Sequence, residues 1–367
     1  MSNPLVDLGS QGQSVWYDSI SRSLITSGDL GRLIAGDGVR GMTSNPAIFE
    51  KAISGSDDYA DDLRRHAAAG LSPLQIYEAI AIDDIRGAAD VLRPIFDETQ
   101  GADGYVSLEV SPHLADDTQA TIDEALRLAG AVDRLNLMIK VPGTPAGISA
   151  VEALIGKGLN INVTLLFAQD NYAAVADAYL AGLENLTAAG GDAGSVASVA
   201  SFFVSRIDTL VDSKLEQLPD VTDLRGKVAI ANAKLAYQHF LRLSATDRWQ
   251  ALASKGARPQ RLLWASTGVK NPQYRDVLYV EELIGRDTVN TMPVATFEAF
   301  RDHGVVAATL EQGVDEALRV MAAVDAAGIS MTAVTDRLQA DAVALFVEPF
   351  DNLLGAIESQ CAALPQG

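Results

Sequence analysis

The chain has a single cysteine in 367 residues, Cys361, so no intrachain disulfide can staple it, and thiol chemistry could draw only on a residue near the C-terminus. Its four histidines (His66, His113, His239 and His303) match neither the HxxxH nor the HExxH spacing of a zinc site, and no Ser/His/Asp arrangement emerges around them. No apolar run approaches the roughly 18 residues of a membrane-spanning helix. The opening Met1-Ser2-Asn3-Pro4-Leu5-Val6-Asp7 lacks a basic stretch leading into an apolar one, so no secretory signal is expected and the expected location is cytoplasmic. Positive charge is scarce: 28 Lys and Arg stand against 48 Asp and Glu, a net charge of −20. Nucleic acid and anionic membranes are therefore not expected partners, because their recognition begins from a basic face. A phosphate-bearing substrate would need a few local cations, acting within a screening length of about 8 Å.

What is present is an alternation of short apolar strands with amphipathic helices. The strands are expected near residues 14–18, 39–45, 105–111, 137–142, 161–166, 198–204, 261–266 and 288–292. One helix opens at Ser72 as N-cap with Pro73 in its first turn, and repeats Tyr77, Ala81, Ile85, Ala88 and Leu92 along one face. Another runs through Val175, Tyr179, Leu183 and Leu186 and stops at Gly190-Gly191. Eight strands alternating with helices suit a (β/α)8 TIM barrel with additional flanking helices. An open doubly wound sheet is the alternative, and the absence of a GxGxxG or Walker A loop after the first strand speaks against it. The expectation is one domain over 1–367, with roughly 296–367 forming mostly helical C-terminal elements.

Side chains two apart on a strand share a face, and several strands carry polar groups on one face opposite apolar ones. Ser107 and Glu109 share a face, as do Asn162 and Thr164, while Lys140 shares its face with Met138 and opposes Leu137, Ile139 and Val141. The apolar faces suit packing on helices, so the polar set should point into the barrel. Asp18, Asn45, Glu109, Lys140, Asn162 with Thr164, and Ser201 all fall toward the C-terminal ends of strands, which is where barrel active sites are built. A buried hydrogen-bond network could account for one such residue, but it is a poor explanation for a lysine, two carboxylates and four further polar side chains together. With no thiol nucleophile, metal cluster or dinucleotide loop, Lys140 is the best covalent catalyst available. A neutral amine there would attack a ketone and form an iminium able to accept electrons from a breaking carbon–carbon bond, with Asp18 and Glu109 available as acid/base groups.

At these residues the chain resembles transaldolases along most of its length, in particular the bacterial branch whose domain also occurs fused to a phosphoglucose isomerase. The motifs are Trp16-Tyr17-Asp18, Gly41-Met42-Thr43-Ser44-Asn45-Pro46-Ala47-Ile48-Phe49, Val106-Ser107-Leu108-Glu109-Val110 and Ile139-Lys140-Val141-Pro142-Gly143-Thr144. They continue with Asn162-Val163-Thr164-Leu165-Leu166-Phe167, Ser201-Phe202-Phe203-Val204-Ser205-Arg206-Ile207-Asp208 and Trp264-Ala265-Ser266-Thr267. The resemblance implies a class I aldolase-like barrel, with Lys140 as Schiff-base lysine, Asp18 as acid/base, and Glu109 with Thr164 holding a catalytic water. It also implies that Asn45, Asn162 and Ser201 bind the hydroxyls of a dihydroxyacetone unit, that Phe203 walls the site and that Arg206 clamps phosphate. The implied reaction is sedoheptulose 7-phosphate plus glyceraldehyde 3-phosphate to erythrose 4-phosphate plus fructose 6-phosphate, in the non-oxidative pentose phosphate pathway and without a cofactor or metal. The expected partners are sugar phosphates, with monomer and homodimer both open, and the lack of an isomerase-sized extension points to a stand-alone enzyme.

The pattern departs from the family after the seventh strand. Many relatives carry Ser-Phe-Arg-Asn there, whereas this chain reads Ser266-Thr267-Gly268-Val269-Lys270-Asn271, making Lys270 the substitute cation. The rival readings are a fructose 6-phosphate aldolase, which would release free dihydroxyacetone and which Phe203 disfavours because those smaller aldolases carry tyrosine there, and a catalytically silent sugar-phosphate-binding protein.

Overall fold

The computed structural model describes residues 3–362; the ends of the expected 1–367 domain, residues 1–2 and 363–367, lie outside the described residues. Eight parallel strands close into a barrel in sequence order: β1 (Gln13–Tyr17), β2 (Val39–Met42), β3 (Tyr105–Glu109), β4 (Leu137–Pro142), β5 (Ile161–Leu166), β6 (Ser198–Phe203), β7 (Arg261–Ala265) and β8 (Thr288–Met292), with β8 returning to β1. All eight expected strands are present, several ending one to three residues early. β2 stops at Met42 because Asn45 is taken as N-cap of the Pro46–Ser54 helix, where its Oδ1 accepts from the Ile48 amide at 3.0 Å. The helix from Pro73 begins with a full capping box, Ser72 and Gln75 satisfying each other's backbone N–H groups.

The alternation of faces is realised in three dimensions. Outward residues dock on helices: Tyr17 meets Phe297 edge-on at 5.1 Å, and Phe202 meets Tyr172 at 6.5 Å. Inward residues fill the barrel in layers. Near the N-terminal ends of the strands Arg261 lies 3.3 Å from Asp103, whose other contacts include Trp16 Nε1 at 2.8 Å. The Trp16 indole leaves no room on β2 at position 41: a Cβ there would stand 2.5 Å from the ring, so glycine is required. Above this floor most strands place a polar residue inward, with Phe203 and Ala265 as apolar exceptions.

The C-terminal segment does more than flank the barrel. Helices Val294–His303 and Val314–Ala326 are followed by a 32-residue helix, Met331–Ala362, with Val334, Leu338, Ala342, Phe346, Phe350, Leu353 and Ile357 buried along one stripe. Gln339 in that helix donates to the carbonyls of Gly143 at 3.0 Å and Leu165 at 3.3 Å, pinning it to the loop that leaves β4 and to the end of β5. No single helix among the described residues is long and apolar enough to cross a membrane.

Candidate active site

Lys140 lies on β4, 5% exposed, and its Nζ donates to the Ser44 carbonyl at 3.0 Å. The Glu109 carboxylate on β3 is 3.3 Å from the same nitrogen. The ring of Phe346, brought in by the C-terminal helix, has its centroid 5.5 Å from Nζ. Glu109 is fully surrounded, and burial drives its pKa up against the lowering influence of Lys140. Neither Glu109 oxygen, nor Thr164 Oγ1, forms an aligned hydrogen bond among the described residues, so buried acceptor and donor capacity beside Lys140 remains unspent.

Asp18 follows the last residue of β1. Its carboxylate accepts from Thr43 Oγ1 at 2.6 Å, and the Thr43 hydroxyl lies 2.6 Å from that of Thr291 on β8. Burial raises the Asp18 pKa, opposed by the Thr43 hydrogen bond and by Lys140. A second chain fixes the opposite wall: Ser201 Oγ donates to Asn162 Oδ1 at 2.7 Å, and Asn162 Nδ2 donates to Ser107 Oγ at 3.0 Å. The backbone is strained beside this wall, where Leu165 adopts φ +62° and the β5–β6 register slips between Val163 and Leu166.

Asp18, Asn45, Lys140, Thr164, Ser201, Phe203, Arg206 and Lys270 all line one cavity of about 170 Å³ at the C-terminal mouth. Glu109 and Asn162 stand just behind it, in contact with Lys140 and Ser201 respectively. Arg206 sits in the first turn of the Ser205–Leu215 helix, its guanidinium 5.7 Å from the Phe203 ring centroid. It forms no ion pair among the described residues, and burial lowers its pKa. Lys270 is exposed at the rim. Cavities of about 340 and 360 Å³ at the other end of the barrel are lined by Arg258 and Arg261 and by Ser14 and Asp103, and contain no lysine.

Sequence reading missed Thr43, Ser44, Thr291 and Phe346 as parts of the site. Thr43 and Ser44 lie inside one of the family motifs, so these two carried a signal, whereas Thr291 did not, because the alternating polar residues of β8, Thr288 and Asn290, fall on the opposite face. Phe346 carried only the stripe of its own helix, which does not say what that helix covers.

Eight parallel strands with a lysine and two carboxylates gathered at the C-terminal mouth define a (β/α)8-barrel enzyme. Over residues 15–357 the chain matches the family model described as Transaldolase/Fructose-6-phosphate aldolase. It is 46% identical to a transaldolase of Trichodesmium erythraeum over 99% of both chains. It is also 50% identical to one of Thiobacillus denitrificans over 96% of this chain and 98% of the relative. A transaldolase of Thermobifida fusca is 48% identical over 99% of this chain and all of its own length. The chain belongs to the transaldolase/fructose-6-phosphate aldolase family.

Proposed function

We propose that this chain is a transaldolase that carries a dihydroxyacetone unit on Lys140 between sugar phosphates. The observation that carries the reading is a buried lysine 3.3 Å from one carboxylate and sharing a cavity with a second, both with raised pKa values, where the rim holds two cations that form no ion pair among the described residues. The neutral Lys140 amine attacks the donor's ketone carbon, and the carbinolamine loses water to give an iminium. Asp18 takes the proton of the hydroxyl on the far side of the scissile bond. That bond breaks, its electron pair moves into the iminium system, and an aldehyde leaves. An acceptor aldehyde then re-forms a bond to the retained carbanion as Asp18 returns the proton, and water releases the product ketose.

Glu109 and Thr164 serve imine formation and opening, a role supported by their unspent hydrogen-bonding capacity in the Lys140 wall. Asn45, Asn162 and Ser201 hold the unit's hydroxyls. Asn45 keeps its NH₂ for the cavity, because its oxygen is used as a helix cap. Phe203 walls the site, while Arg206 and Lys270 bind the distal phosphate. No cofactor or metal is called for by this sequence of steps, and the reaction belongs in the cytoplasm among pentose phosphates. Transfer is preferred to aldol cleavage because Phe203 places an apolar ring, with no proton to donate, in the cavity wall. Purified protein supplied with fructose 6-phosphate and erythrose 4-phosphate should form glyceraldehyde 3-phosphate and sedoheptulose 7-phosphate. Sustained release of free dihydroxyacetone at a similar rate without an acceptor would instead mark an aldolase.

A further inference from the structure

Two buried carboxylates on the helix that carries Arg206 take no part in this chemistry. Asp208 and Asp212, 1% and 6% exposed, lie one turn apart on the Ser205–Leu215 helix. Each is bound by a tyrosine from the segment that follows β7. Tyr279 OH donates to Asp208 Oδ2 at 2.9 Å, and Tyr274 OH donates to Asp212 Oδ2 at 2.6 Å. The remaining oxygens accept backbone amides, Asp208 Oδ1 from Ala229 at 2.7 Å and Asp212 Oδ1 from Gly226 at 3.1 Å.

The other end of the same segment is also tied to this helix. The Ser205 amide donates to the Ser266 carbonyl at 3.1 Å, and the two hydroxyls lie 3.1 Å apart. Residues 266–274 are thus held at both ends to the helix of Arg206, with Lys270 midway between the ties. Local structure stiffens the span. Ser266 takes a left-handed φ of +55°, and Asn271 closes a turn by accepting from the Gln273 amide through its side chain at 3.0 Å and from the Tyr274 amide through its carbonyl at 3.1 Å. The Tyr274 ring packs on Gly226, where a Cβ would come within 2.9 Å of it. Burying two acids is a poor way simply to stabilise a loop, since desolvation opposes it and pushes Asp208 up to about 7. A directional hydrogen bond does, however, fix a register that apolar packing leaves loose.

We propose that the Asp212–Tyr274 hydrogen bond, backed by Asp208–Tyr279, sets the position of Lys270 relative to Arg206 and so fits the cavity mouth to a sugar phosphate rather than a free sugar. None of the four residues lines the cavity, so they are positioning residues. The inference rests on the reading of Lys270 and Arg206 as phosphate-binding cations.

Tyr274→Phe keeps the ring on Gly226 and removes the donated hydrogen bond. Expected are a roughly tenfold rise in KM for fructose 6-phosphate, a similar rise in the inhibition constant of inorganic phosphate, and kcat within about twofold. Unphosphorylated fructose as donor should show no change in kcat/KM. Lys270→Ala should raise the same two constants, and the double variant should be no worse than Lys270→Ala alone. Asp212→Asn, which withdraws one of the two acceptors, carries the same expectation should Tyr274→Phe fold poorly. If Tyr274→Phe and Asp212→Asn leave both constants unchanged while Lys270→Ala raises them, the positioning role is overturned and the phosphate reading stands. If Lys270→Ala leaves phosphate inhibition unchanged, that reading fails and the inference fails with it. Loss of kcat and thermal stability with unchanged KM would show a merely structural tie and also overturn the proposal.

Discussion

Glu109 and Lys140 face each other across adjacent parallel strands, paired in register, with carboxylate and amine 3.3 Å apart in the barrel interior. The pairing makes each residue a condition of the other's burial. Glu109→Gln leaves the Lys140 amine without its carboxylate, so the protein should lose roughly 1–3 kcal/mol of stability as well as activity. Chemical denaturation with an unchanged slope checks this.

Asp18 has a raised pKa as Glu109 does, but it forms no ion pair among the described residues, so removing its charge strands no buried partner. Its raised pKa means that the native chain holds the proton more tightly than the unfolded chain does. Ionised Asp18 therefore opposes folding: its contribution to stability falls as pH rises from the ordinary carboxylate range, near 4, up through the raised value. Asp18→Asn can still accept from Thr43, and should melt at the same or a higher temperature than the parent at neutral pH while losing at least about a hundredfold in kcat. The melting difference should vanish below about pH 4. Lower stability at neutral pH would show that the carboxylate is held for the fold.

Much of this site was legible because strand geometry is simple. A period of two separates Lys140 from Ile139 and Glu109 from Leu108 without any tertiary information, and eight strand signals suffice to suggest closure. Strand ends were less legible, since whether Asn45 continues β2 or caps the next helix depends on the competition between a ladder and a cap. Phe346 was illegible as a site residue. Its helix shows an apolar stripe from Val334 to Ile357, but docking across the mouth is decided by contacts such as Gln339 with the Gly143 and Leu165 carbonyls, far away in sequence. The burial of Asp208 and Asp212 was not legible either, because the tyrosines that meet them, Tyr279 and Tyr274, lie 71 and 62 residues further along the chain.

At the rim, Arg206 and Lys270 should differ in weight. Arg206 is half-buried over Phe203, whereas Lys270 is exposed and offers only a point charge. Lys270→Ala should raise KM for phosphorylated donors about tenfold, or about 1.4 kcal/mol, with a smaller effect on kcat. Arg206→Ala should cost more, roughly 2–3 kcal/mol in kcat/KM. Steady-state kinetics with phosphorylated and unphosphorylated donors separates these effects. Equal losses for both donor types would show that the residue is structural.

Phe346 shields Lys140 from the mouth side. Without an acceptor the parent enzyme should consume about one equivalent of fructose 6-phosphate per site and nearly stop, because the carbanion is kept from protons. Phe346→Ala admits water, so it should show continued release of dihydroxyacetone, at least about fivefold faster than the parent, measured by a coupled reductase. An unchanged release rate would remove the C-terminal helix from the account of retention.

The most direct measurement is covalent. Incubation with fructose 6-phosphate followed by borohydride reduces an iminium to a stable secondary amine, and peptide mass spectrometry locates it. A reduced three-carbon unit on Lys140, absent from Lys140→Ala together with at least about three orders of magnitude of rate, roughly 4 kcal/mol of barrier, is the predicted result. Modification of another lysine, or near-normal transfer by Lys140→Ala, would contradict the mechanism.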